Sequence, residues 1–299
     1  MTHRIRIPLL LLGILLATTV RAELPASLEQ AAAQASGAPA QRQALGVNLD
    51  KALKAGVGEQ DLQALMRLAA MHQYSAAAAD AFVRQLAEAS QDGLPVAPMR
   101  DKMLEGMAKK IPAETILAVT SQWRSALKEA DAAVRVMEER GLGYGKAGER
   151  EALVSLGAGL RQRYGAKDVL AKLDASAAKG GKAAADAGRL IAAGHLAELL
   201  LLHKVALAQA LELPMASLRA GNTSAQIQAL QRNVLDQLRQ GVAPADIISD
   251  TRRQFGGPAD APPAFTNFGQ PPSGGMGGFP GGGAPGGMGG GFPGGRGGY

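Results

Sequence analysis

Apolar residues along this chain recur at steps of three and four, the period of a helix buried on one side. From Ile116 the series Thr120, Trp123, Leu127, Ala130, Val134 and Met137 forms such a seam. No window alternates apolar and polar residues as a half-buried strand does. The pattern therefore predicts an all-α fold.

A short motif punctuates the seams. An apolar residue is followed by Gly, Ser, Pro or Ala, with a larger apolar residue five positions on. The pairs are Val57 with Leu62, Leu94 with Met99, Ile111 with Ile116, Tyr164 with Val169, Leu213 with Leu218 and Val242 with Ile247; Tyr74 opens a copy lacking the second member. That spacing reads as a hydrophobic staple across a helix start. Asp61, Asp168 and Asp246 fall at the expected third helical position, where a carboxylate meets free amides, and Pro244 falls at the first. Thr223 and Gln226 have capping-box spacing.

These starts predict an irregular array of short αα-hairpins, with Val57, Ile111 and Tyr164 suggesting a larger spacing of 54 and 53 residues. Two longer helices are expected within it, one running from about Ile116 to Met137 and one from about Ala183 to Glu212. Breaks are expected at Arg140 to Gly148 and around Gly180 and Gly181. The array occupies residues 45–255, preceded by an Ala/Gln-rich linker or frayed helix over 23–44.

The ends differ from the body. Arg4 and Arg6 precede an apolar run from Ile7 to Val20, and Val-Arg-Ala then ends at Ala22. That order predicts a secretory signal peptide over residues 1–22, a periplasmic or secreted mature protein, and no transmembrane span in the mature chain. Residues 256–299 are rich in Gly, Pro, Met and Phe, with 17 of the chain's 39 glycines in the last 31 residues. Glycine loses much entropy on ordering and buries little surface, so this stretch is expected to be a disordered tail. Its composition resembles the tails that end some chaperonins and Hsp70-type chaperones. The resemblance covers the tail alone and implies no ATPase body.

Composition narrows the chemistry. With no cysteine there is no disulfide, thiolate metal site or redox dithiol. The net charge of +6 falls to +3 once Arg4, Arg6 and Arg21 are removed, too weak a field to argue for nucleic acid. Met99, Met103 and Met107, with Met66, Met71 and His72 upstream, could hold a soft metal, but they also fit an apolar helix face filled by Met. His195, Glu198 and His203 lack the adjacent-turn spacing of a two-histidine metal motif. The glycine-rich stretches lack a complete phosphate-loop pattern, and no nucleophile elbow is present. Asn222-Thr-Ser matches a glycosylation acceptor already explained by capping, and Trp123 reads as a buried seam residue.

The sequence thus assigns no catalytic, cofactor-binding or metal-ligating residue. Its expectation is an exported helical scaffold or protein-binding module whose partner is a protein or cell-envelope component. The alternatives are a cell-envelope hydrolase using dispersed carboxylates and a Met/His soft-metal carrier.

Overall fold

The structure, a computed structural model, describes residues 24–179 and 186–255. The expected signal segment, the break expected around Gly180 and Gly181, and the glycine-rich residues 256–299 lie outside the described residues. The described chain is all-α: α1 (Ala26–Gln34), α2 (Pro39–Lys54), α3 (Glu59–Met71), α4 (Ala76–Gln91), α5 (Ala97–Ala108), α6 (Ala113–Glu139), α7 (Glu149–Tyr164), α8 (Val169–Lys179), α9 (Ala187–Leu202), α10 (Leu207–Ala210), α11 (Glu212–Arg219), α12 (Ser224–Arg239) and α13 (Pro244–Phe255). No helix among them is long and apolar enough to cross a membrane.

The predicted motif is half of a two-sided turn. At Gly56, Gln73, Gly93, Lys110, Gly141, Lys204, Gly221 and Gly241 the backbone turns left-handed. The next amide reaches back to close a Schellman cap: Val57 N to Ala52 O, Tyr74 N to Ala69 O, Leu94 N to Ala89 O, Ile111 N to Gly106 O, Val205 N to Leu200 O and Val242 N to Gln237 O, at 2.9 to 3.2 Å. In these six turns the apolar residue of the cap also precedes the following helix. One side chain thus serves both the end of one helix and the start of the next.

Four staple pairs hold this position, with Leu62, Met99, Ile116 and Ile247 all buried. Two do not. Tyr164 is the last residue of α7, and Leu213 already lies inside α11. Asp168 is left-handed at φ 59° and precedes α8, whereas Asp61 and Asp246 occupy the expected third position. Thr223 closes its capping box, with Thr223 N donating to Gln226 Oε1 at 2.8 Å and Gln226 N to Thr223 Oγ1 at 3.3 Å.

The array has a period of 37, not the 53–54 suggested by the staples. One set of helices starts at Pro39, Ala76, Ala113, Glu149, Ala187 and Ser224, at intervals of 37, 37, 36, 38 and 37 residues. Counting by 37 from Leu49 reaches Leu86, Trp123, Leu160, Ala197 and Val234, all buried. Helices α2, α4, α6, α7, α9 and α12 pack each on the next as one layer, layer A. The chain of contacts α1 to α3 to α5, then α8 to α11 to α13, forms layer B. Each unit is therefore an A helix, a corner and a B helix, stacked on its neighbours along a line.

Three departures have local causes. Over residues 24–44, expected as a linker or frayed helix, α1 is a B helix whose Leu28 is fully buried, and α2 begins at Pro39. The second expected long helix ends at Leu202, because Lys204 turns left-handed at φ 63° and the chain restarts as α10 and α11. The first long helix is real, and it replaces the two helices of the third unit. The corner glycines Gly56 and Gly93 correspond there to Ala130, a strong helix former, so α6 runs on and touches both α5 and α8.

Candidate functional site

The third unit is where the array breaks its own rule, and a polar cluster gathers there. By the 37-residue count, Asp131 stands where Val57 and Leu94 close the earlier corners. It is 6 % exposed, and a buried carboxylate requires partners. Arg150 Nη2 of α7 donates to Asp131 Oδ1 at 2.7 Å, and Arg135 Nε, one turn along α6, lies 2.8 Å from Asp131 Oδ2. Arg150 Nε also donates to Glu138 Oε1 at 3.0 Å, and Tyr144 Oη donates to the same oxygen at 2.6 Å.

The cluster anchors the Gly141–Gly148 loop. Gly145 N donates to Glu149 Oε2 at 2.7 Å, and Ala187 N of α9 donates to Gly143 O at 2.9 Å. The loop thereby bridges the third unit to the fifth, across the fourth. Burial and the hydrogen bond to Glu138 raise the Tyr144 phenol well above its ordinary pKa, so it remains a donor. Burial pulls Arg150 down, but Asp131 and Glu138 hold it above its usual value. Asp131 and Glu138 accept from these donors, and the cluster forms a platform whose edge is the half-exposed Tyr144 ring.

The residues singled out in the sequence lie elsewhere. Met99, Met103 and Met107 are fully buried on α5 within the core, and Met66 is 2 % exposed. Met71 is 64 % exposed at the end of α3, beside His72, the residue that caps it. These six positions are thus divided between core and surface. His195 Nδ1 lies 3.3 Å from Glu198 Oε2, and Arg163 Nη1 of α7 lies 2.7 Å from Glu198 Oε1. His195, then Arg163, hold that carboxyl below its usual range against its burial. His203 caps α9. Trp123 is 6 % exposed. Asn222 is 4 % exposed and donates to Ser217 Oγ at 2.8 Å, so the folded chain does not offer it for glycosylation.

Two grooves were not legible in the sequence, because each joins residues of different units. One, of about 490 Å³, lies in layer B between α1 and α3 and is lined by Leu28, Gln34, Gln60, Gln63, Met66 and Arg67. Another, of about 370 Å³, lies in layer A between α4 and α6, with Arg84, Gln85, Glu88, Ser121 and Arg124. Arg124 there pairs with Glu88 and, at 2.6 Å, with Asp92. Among the described residues no three His, Asp or Glu side chains converge as metal ligands.

The class defined by this architecture is a two-layered helical repeat array, an α-solenoid. Compared with known protein families, curated proteins and solved structures, the chain matches none of them.

Proposed function

We propose that the chain is exported by its N-terminal segment, released after Ala22, and serves in the periplasm or outside the cell as a scaffold that binds a protein or a cell-envelope component. The observation that carries this reading is the 37-residue stacking of helix pairs. Such an array exposes extended surfaces in proportion to its length, and adjacent helices leave grooves between units rather than one deep cleft. The grooves between α1 and α3 and between α4 and α6 are of this kind. The platform around Tyr144 adds one irregular feature by which a partner could be held in register.

The test has two parts. N-terminal sequencing of the exported protein should begin at Glu23. A photo-crosslinking residue placed at Gln60 in the layer B groove, at Ser121 in the layer A groove, or at Tyr144 should then give a discrete adduct from the cell envelope at one position and not at all three. The same experiment on residues 23–255 separates the body from the glycine-rich segment. Retention of the protein in the cytoplasm, or an identical smear of adducts at every position, would sink the proposal.

A further inference from the structure

Each A helix from α4 onward packs on the A helix before it, but α2 has no such predecessor among the described residues. The face it leaves open carries an unusual residue. Gly46 corresponds by the 37-residue count to Val83, Thr120, Gly157, Gly194 and Gln231. At the inner positions glycine has a packing reason. A Cβ on Gly157 would come within 2.6 Å of Leu170 of α8 and 3.2 Å of Ala130 Cβ of α6, and one on Gly194 would collide with Leu156 of α7. A Cβ on Gly46 would meet no atom of the described residues within 4 Å. Glycine inside a helix costs about 1 kcal/mol relative to alanine, and no described contact explains its presence here.

The surroundings are those of a packing face. Val47 is 49 % exposed, and a groove of about 430 Å³ between α1 and α2 is lined by Leu24, Glu29, Ala33, Pro39, Arg42 and Gly46. Charge then selects the partner. Arg42 and Asp50 lie four residues on either side of Gly46, one turn each way along the helix. Two antiparallel copies of α2 crossing at Gly46 place each Arg42 beside the other copy's Asp50. Among the described residues, Arg42 reaches only the Gly37 carbonyl at 2.6 Å, and Asp50 pairs with Lys54 at 2.6 Å on the surface. The pattern is complementary to itself.

We propose that a second copy of this chain docks here, α2 against α2, about a two-fold axis normal to the helix layers. That axis stacks layer A on layer A and layer B on layer B, and it closes after two copies instead of building a filament. The glycine then has the same reason as Gly194, the close approach of a neighbouring A helix.

Sedimentation equilibrium on the protein beginning at Glu23 tests this. A dimer is expected, and Gly46→Gln should raise its dissociation constant by about tenfold or more. Open space at Gly46 means the variant should keep its helix content and melting temperature. Arg42→Asp and Asp50→Arg should each weaken the dimer, and the two together should restore it by rebuilding both pairs in reverse. A monomer at every concentration, a dimer indifferent to Gly46→Gln, or no rescue by the double exchange would overturn the proposal. So would a monomer beginning at Met1 in which residues 1–22 protect α2 from hydrogen exchange, since that assigns the face to the chain's own N-terminal segment.

Discussion

Gly93 and Lys110 adopt the same left-handed backbone, at φ 71° and 57°, but only one of them avoids its penalty. A side chain in that conformation costs about 1–2 kcal/mol. A Cβ on Gly93 would meet nothing within 4 Å among the described residues, so Gly93→Ala isolates the backbone term. We expect it to lose about 1–2 kcal/mol in urea unfolding, and Lys110→Gly to gain up to about 1 kcal/mol, both at unchanged m-value. Equal midpoints for the two variants would contradict the conformational argument. Asp174 on α8 is the second informative residue. The 37-residue count puts it where Leu211 and Ile248 fill the core of the later units, and it is 8 % exposed with Arg140 Nη1 3.6 Å away. Burial raises its pKa, only partly offset by Arg140, so the folded chain binds this proton more tightly than the unfolded chain. The ionised carboxyl therefore destabilises the fold above the folded pKa, and this cost disappears as pH falls below the unfolded one. Glu105 has the opposite sign. Lys102 and Lys109 lower it from 4.5 to about 2, so its contribution is present above pH 4.5 and is lost as pH falls towards 2. We expect Asp174→Leu to raise the melting temperature at neutral pH and to remove the part of the pH dependence that favours mild acid, leaving the acid loss intact.

The elements show what sequence could and could not convey. Helix starts were legible where the apolar residue, the small residue and the second apolar residue stand close together, as at Ile111 and Ile116. The preceding cap was not, because a left-handed turn is signalled by glycine and Gln73, Lys110 and Lys204 hold it without one. For the same reason α9 reads in the sequence as continuous with α10 and α11. The 37-residue period was hidden by the third unit, where Ala130 and Asp131 replace corner residues and one 27-residue helix stands for two. The ion-pair cluster left no signal at all, since Asp131 and Arg150 belong to different helices. Its role is nevertheless testable. Arg150→Met leaves Asp131 with Arg135 as its remaining ion-pair partner and removes the donor that joins it to Glu138. Losing one partner of a buried charge is costly, and partial exposure of Arg150 brings the expected loss to about 2 kcal/mol. Hydrogen exchange should accelerate at Gly145 and Ala187, whose bonds tie the loop down, before it does in α2 or α4. Uniform acceleration throughout the chain would show that the cluster does not anchor the loop.

At the scale of the whole molecule, linear stacking decides how the protein comes apart. Apart from the Gly143–Ala187 bond, each A helix touches its neighbours in the series and little beyond them, so stability is close to a sum of unit terms and nearest-neighbour interfaces. A globular core of this length would fail as one body, whereas a line of units can fail at one interface. Trp123, the only tryptophan, is buried in the third unit and reports on it and on the units packed against α6, while far-ultraviolet circular dichroism reports on every helix. Leu200 is fully buried on α9, two units further along. Leu200→Ala should cost about 2–5 kcal/mol, all of it in the C-terminal half. We therefore expect tryptophan fluorescence and circular dichroism to follow one urea transition in the wild-type chain and to separate in this variant, with dichroism lost first. The mirror experiment, Leu49→Ala on α2, should loosen the N-terminal units, and if α2 is also the dimer contact it should weaken association as well. Coincident transitions in both variants would mean that the units are coupled too strongly for nearest-neighbour stacking to describe them.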